Sequence, residues 1–313
     1  LLNLIRNEWL KLWSKKATWV MVVLVALLMI GFAGINKWIN NQSESRVDWK
    51  QDSQEKITTS EGQLAIPNLT KDQKQQFKES IEVEKYRLEH NIAPIDLDEE
   101  KYFISDIPGM LSIITLFTVV VAAGIVASEF SQGTIKMLLT RPVKRWKILT
   151  SKLITVGIFA IVMTMVLFIV GVISGYIFFD SIGGKELELV NGQIVVVSFW
   201  GRLLLLTGLS LINVFVIGTL AFMIGSVFRS SSLAIGISIF LMFMGVNIVM
   251  ILSRFEFVKY VLFANTNLSQ YIGNNHPMIE GQTMLFSIAV ILVYVIVFLV
   301  ISYWSFTKRD VTA

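Results

Sequence analysis

The chain has 313 residues, 54% hydrophobic and only 16% charged, with a mean hydropathy of +0.65. A soluble domain carries about 25% charged residues, so the composition reads as an integral membrane protein. With no Cys there is neither a disulfide framework nor a thiolate metal site, and two distant His, His90 and His276, argue against a His-rich metal centre. A net charge of +4 leaves no basic footprint for nucleic acid.

Six stretches lack Asp, Glu, Lys and Arg and are long enough to cross a hydrocarbon core, which takes about 20 apolar residues. They are 17–36, 107–128, 153–179, 203–228, 230–253 and 281–307. Backbone groups in hydrocarbon must be bonded internally, so the expected fold is all-α and polytopic, with six transmembrane helices. Six crossings return both ends to one side. That side collects residues 1–16, 129–152, Arg229 and the tail 308–313, with 13 Lys/Arg against 3 Asp/Glu; the other side has 14 against 20. Basic short loops mark the cytoplasmic side. Both termini are therefore expected in the cytoplasm, with the chain multi-pass in the cell membrane.

In chain order, residues 1–16 come first. Leu4, Ile5, Trp9, Leu12 and Trp13 recur at helical spacing with Arg6, Lys11, Lys15 and Lys16 between them. This predicts an amphipathic helix in the membrane interface, with Trp at headgroup depth and Lys toward the phosphates. The apolar run that follows reads as a span rather than a cleaved leader. Residues 37–106 are polar, with 10 basic and 15 acidic side chains. Thr70 and Gln73 form a capping box for a charged helix, and a helix through Trp49 to about Glu61 precedes it. The pair is expected as a helical hairpin outside the membrane. So small a unit builds little core alone, so it should pack on the spans, on itself or on a second copy.

The loop 129–152, SEFSQGTIKMLLTRPVKRWKILTSK with its preceding Ser128, is the densest basic cluster, holding six Lys/Arg against one acid, Glu129. Gly133-Thr134 opens a short helix with Ile135, Leu138 and Leu139 on one face, and Pro142 ends it. Such a helix, apolar on one face and basic around it, suits the transmission of force from a soluble partner. Span three carries Gly171 and Gly175 at a spacing that permits close helix approach. Residues 180–201 are expected as a short outer loop. Asn213 in span four and Asn247 in span five are polar groups at membrane depth, and each needs a partner, either a neighbouring helix or a translocated molecule. Residues 254–280 are too apolar for a solvated loop and too short for a span, so they are expected to dip into the outer leaflet. No phosphate-binding loop, HExxH or GxSxG occurs, and no charge lies within a span. A transporter without its own energy site is a passive channel or is driven by a partner.

The amphipathic N-terminal helix, the six spans, the re-entrant segment before span six and above all the run Glu129…Gly133-Thr134…Leu138…Arg141-Pro142 resemble the membrane subunit of an ABC transporter of the ABC-2 type. The resemblance implies two six-helix halves, a second copy or a paralogue facing this chain. It also implies a separate cytoplasmic ABC ATPase subunit that carries ATP and Mg, so this chain would be no enzyme and hold no cofactor. It assigns Glu129, Gly133, Thr134, Leu138, Arg141 and Pro142 to coupling with that ATPase, beside an elbow helix bearing Trp9, Trp13, Lys15 and Lys16. Asn213 and Asn247 become candidates for a substrate path. Export of an amphiphile such as a peptide, antibiotic or lipid is the expected activity. The long segment 37–106 departs from the simplest members and sustains an alternative, a sensor or scaffold whose outer hairpin binds a ligand.

Overall fold

The computed structural model describes residues 1–42, 48–66, 69, 71–133, 143–190, 192–228, 230–273, 277, 279 and 281–308. A short helix, α1 (Leu2–Trp13), leads into α2 (Lys16–Gln42). Next come α3 (Trp49–Leu64), α4 (Lys71–His90), the single turn-and-a-half α5 (Glu100–Ser105) and α6 (Ile107–Ser131). The second half holds α7 (Arg145–Phe178), α8 (Phe199–Val227), α9 (Ser231–Leu252), the one-turn α10 (Leu262–Asn265) and α11 (Met284–Lys308). Six helices, α2, α6 with α5 before it, α7, α8, α9 and α11, are long and apolar enough to cross a membrane. The protein is thus a predominantly helical, multi-pass membrane chain.

Helix α6 is the innermost. Ile107, Leu111, Ile114, Val119, Ala122, Ala123, Val126 and Ala127 are all buried, and α7, α8 and α9 pack around it. With no hydrophobic driving force in lipid, such packing depends on small residues that let backbones approach. A methyl group on Gly225 of α8 would collide with the backbone carbonyl of Ala123, and one on Gly218 would meet Thr118 at 3.0 Å. The Gly171 and Gly175 pair of α7 receives Ile107 and Ile104 as knobs, with contacts of 2.8 and 2.7 Å to an added Cβ. Helices α2, α9 and α11 instead turn wide apolar faces outward, through Leu27, Phe240 and Ile296 among others.

On the face opposite the termini, α3 and α4 pack against each other, and α4 also packs on a β-strand. Asp48 caps α3 through Lys50 N–H at 3.2 Å, whereas Thr70 of the expected capping box lies outside the described residues. The segment 180–201 is not simply a loop. Strands β1 (Leu187–Val190) and β2 (Gln193–Val196) pair antiparallel, with Leu187 opposite Val196 and Val190 opposite Gln193. Gly192, at φ +77°, takes the left-handed turn between them.

The hairpin is tied to the span ends by a buried clasp. Glu99, fully buried, accepts from Gly183 N–H at 3.2 Å, Gly184 N–H at 3.0 Å and Lys101 Nζ at 2.9 Å. His90 is exposed and stacks on Tyr86 at 3.9 Å, a surface role. The stretch from Arg254 onward folds as three short turns, Glu256–Tyr260, α10 and Leu268–Tyr271, rather than a long helix. Phe263 seats its ring on Gly245 of α9, and buried Asn265 binds Lys259 and Val261 carbonyls at 2.8 Å each. These contacts hold the segment against the spans.

Candidate functional site

The residues singled out around the loop fall into two groups. Thr134, Leu138, Arg141 and Pro142 lie outside the described residues. Glu129 and Gly133 are placed, on the last turn of α6 and just past its end. Gly133 has φ +70° and donates its N–H to Phe130 O at 3.2 Å. It is the left-handed residue that closes a helix, a conformation in which a Cβ is strained. On the other side of the loop α7 already begins at Arg145, with Lys144 as its N-cap. The connecting segment is therefore shorter than 129–152, because both of its ends are helical.

Helix continuation places charge inside the protein. Lys152 is fully buried in α7 and Glu129 is 1% exposed in α6. Their Nζ and Oε1 atoms are 2.7 Å apart. Lys152 also reaches Glu8 of α1 at 2.9 Å, and Glu129 Oε1 accepts from Lys11 of α1 at 2.9 Å. Two carboxylates and two ammonium groups thus alternate across three helices. A lone buried ion costs several kcal/mol, and only close partners offset it. The sequence stretches 1–16, 129–152 and 308–313 hold three acids, and two of them, Glu8 and Glu129, are used here.

The field of the cluster is felt by its neighbours. Burial alone would lower the Lys11 ammonium, but its hydrogen bond to Glu129 and the charges of Glu129 and Glu8 outweigh that and hold it above its ordinary value. Lys15, in the turn between α1 and α2, goes the other way: burial first, then Lys11 and Lys152, push it below its ordinary value. Glu8 and Glu129 offset that push only in part, and Lys15 makes no salt bridge among the described residues.

The helix α1 is held to this platform by packing as well as charge. Leu12 is buried, and Thr18 Oγ1 donates to its carbonyl at 2.6 Å. Trp9 and Trp13 lie 5.4 Å apart, Trp13 and Trp19 5.2 Å, and Trp19 Nε1 donates to Trp13 O. Lys16 is exposed at the first position of α2. The end of α11 joins from the far side. Arg145 Nη1 donates to Thr307 O at 3.2 Å, Thr150 bonds the Tyr303 hydroxyl at 2.6 Å, and Phe130 meets Phe306 edge-on. Ser305 adds a bond to Ser226 O at the end of α8. Four spans and α1 therefore converge on the two helix ends that flank residues 134–142.

The mid-membrane amides are not brought together. Asn213 is half-buried in α8, with its amide oxygen buried and unbonded among the described residues. Asn247 faces outward from α9 and donates to Phe243 O of its own helix at 2.7 Å. Among the described residues no His, Asp or Glu group has the arrangement of a metal site. Nothing in the spacing of the sequence pairs Glu129 with Lys152 or Glu8. The available signal was the scarcity of acids on this face.

Comparison with known proteins adds kinship without an activity. The family described as "Protein of unknown function (DUF2705)" matches residues 90–312. The chain is 38% identical to the uncharacterized protein YhcI of Bacillus subtilis, over 99% of each chain. It is also 32% identical to the uncharacterized membrane protein YdbK of the same organism, over 67% of this chain and 82% of the relative.

Proposed function

The chain belongs to the DUF2705 family, and from that premise we propose that it is the permease subunit of an ATP-driven transporter of the ABC-2 type. In this reading it exports an amphiphile, a peptide, an antibiotic or a lipid. A separate ATPase binds ATP and Mg and grips the segment 134–142 from the cytoplasm. The observation that carries the reading is the buried Lys152–Glu129 pair, flanked by Glu8 and by the half-exposed Lys11. It makes α1 and both flanks of the gripped segment one rigid body, so a push on the segment is not dissipated locally. A network with its charges paired is stiff because any relative slide exposes an uncompensated buried ion. The contacts of Arg145 and Tyr303 extend that body to α11.

Several features agree with this. The basic excess on the terminal face fits a cytoplasmic orientation. Kinship with a protein named as a membrane protein fits placement in the cell membrane of a bacterium. The outward faces of α2, α9 and α11, and the exposed amide Asn247 among them, fit a second permease copy or paralogue beside this one, with lipid covering the rest. Glu129 and Gly133 keep the coupling roles expected of them, and Thr134, Leu138, Arg141 and Pro142 supply the contact itself.

The test is reconstitution. The chain is purified from its native membrane together with whatever nucleotide hydrolase accompanies it, and both are placed in vesicles loaded with a labelled phospholipid or a labelled cationic peptide. ATP-dependent movement of either label across the bilayer is the expected result. Hydrolysis that moves neither label, while ligand addition changes its rate, favours the sensor reading instead.

A further inference from the structure

Charge does not close in the cluster at the end of α1. Three ammonium groups, Lys11, Lys15 and Lys152, meet two carboxylates, Glu8 and Glu129. Lys152 sits buried between both acids, and Lys11 turns inward to Glu129 rather than toward lipid phosphates. Lys15 lines the narrow cleft that α1 makes with Ile125 and Ser128 of α6, and it stays exposed at the rim. Its lowered hold on its proton reflects that unbalanced positive charge. The chain has little to answer it with. Residues 134–142 contain Lys136 and Arg141 and no acid, and the third acid of the stretches 1–16, 129–152 and 308–313 is Asp310, which lies outside the described residues.

The surface running from Lys15 and Lys16 along α2 has the shape of an amphiphile's footprint. Val20, Val23 and Leu27 follow Lys16 by four, seven and eleven residues, so all share one face of the helix. Each of the three is more than half exposed. Trp19, four residues after Lys15, is as exposed, and its ring meets Trp13 edge-on at 5.2 Å. Indoles settle at headgroup depth, which sets the two ammonium groups level with the phosphates. Neither Lys15 nor Lys16 makes an ion pair among the described residues.

We propose that Lys15 and Lys16 bind the phosphate of an anionic phospholipid whose acyl chain runs down the Val20–Val23–Leu27 column, and that this lipid supplies the negative charge missing from the cluster. A soluble anion would meet the lysines but leave the column uncovered. A zwitterionic lipid brings its own cation and so no net charge. An acidic protein segment would have to lie on a column that faces hydrocarbon. The proposal requires only that the chain sits in a bilayer, and it stands or falls apart from the coupling reading.

Lipid retention by the full chain tests it. The protein in neutral detergent is supplied with equal amounts of phosphatidylglycerol and phosphatidylcholine, and the lipids it keeps are counted by native mass spectrometry. A preference for phosphatidylglycerol is expected. It should fall about fivefold in Lys15→Gln, the worth of one basic side chain at an anionic surface. Lys50→Gln, which takes the same charge from exposed α3, should keep it. Melting gives a second reading: Lys15→Gln should match or exceed the wild type in neutral detergent and fall below it once phosphatidylglycerol is added. A merely structural defect would not change sign. No preference in the wild type, or an equal loss in Lys50→Gln, overturns the proposal. So does inorganic phosphate that stabilises the wild type as well as the lipid does, because the site then takes a free anion. A preference that appears only in Asp310→Asn also overturns it, because the chain's own tail is then the occupant.

Discussion

The Lys152 ammonium lies 2.7 Å from the Glu129 carboxylate, and neither side chain is more than 1% exposed. Removing one partner leaves the other with a single counter-charge, Glu8 for Lys152 or Lys11 for Glu129, and costs up to about 3–5 kcal/mol. Lys152→Met should therefore lower thermal stability in detergent markedly, as should Glu129→Leu. The double variant should lose less than the sum of the singles, by more than about 1 kcal/mol, because each single change leaves a buried charge short of one partner and the double change leaves neither buried charge. Additive losses in a thermal-melt cycle would mean that the pair is not coupled.

Lys11 and Lys15 should respond to pH in opposite ways. Lys11 is held above its ordinary value of 10.5. Its favourable contribution is complete below 10.5 and is lost only as pH rises through the higher folded value. Lys15 is held below 10.5, so its charge disfavours the fold at neutral pH, and that penalty fades as pH climbs toward 10.5. Lys15→Gln should thus stabilise the protein slightly at pH 7 and have no effect near pH 10.5. Lys11→Gln should destabilise it across that whole range. Both effects should shrink with added salt, since these side chains are partly exposed. Melting curves at pH 7 and pH 10 decide it.

Two glycines in successive helices, Gly225 of α8 and Gly236 of α9, should behave differently. A methyl on Gly225 strikes the Ala123 carbonyl, whereas one on Gly236 meets nothing within 4 Å. Gly225→Ala should force α6 and α8 apart at a cost of about 1–3 kcal/mol. Gly236→Ala should be neutral or mildly stabilising within this chain. Size-exclusion profiles after heating give the readout.

The clasp at Glu99 predicts a local rather than global effect. Glu99→Gln keeps the shape but weakens three charge-assisted bonds, to the Gly183 and Gly184 amides and to Lys101. Limited proteolysis should then cut within 91–98 or 181–186 several-fold faster, while the melting of the spans stays close to wild type.

The spans were legible because charge is excluded from them, and a run such as 203–228 admits no other reading. What lay beyond the sequence was partner choice across long separations. Lys152 looked like the last residue of a loop, because a lone Lys beside an apolar run reads as a membrane boundary. Only Glu8, 144 residues away, and Glu129 make its burial tolerable. The β-hairpin does carry a local signal: Asn191-Gly192 between Leu-Glu-Leu-Val and Gln-Ile-Val-Val is a strong hairpin sequence. It was masked by the assumption that short outer segments are loops. Asn247 shows the other side of this: a polar residue read as needing a neighbour has its amide N–H bonded to Phe243 O of its own helix.

The central claim is that a nucleotide-hydrolysing partner drives this chain through a platform locked by Lys152. The most direct measurement is co-purification from native membranes followed by coupled assay of the wild type and Lys152→Met in vesicles. The account predicts that an ATP-hydrolysing subunit co-purifies with both, and that the variant keeps hydrolysis while losing ATP-driven movement of the labelled amphiphile. If no such subunit accompanies the wild-type chain, or if Lys152→Met moves its cargo at the wild-type rate per ATP, the account is contradicted.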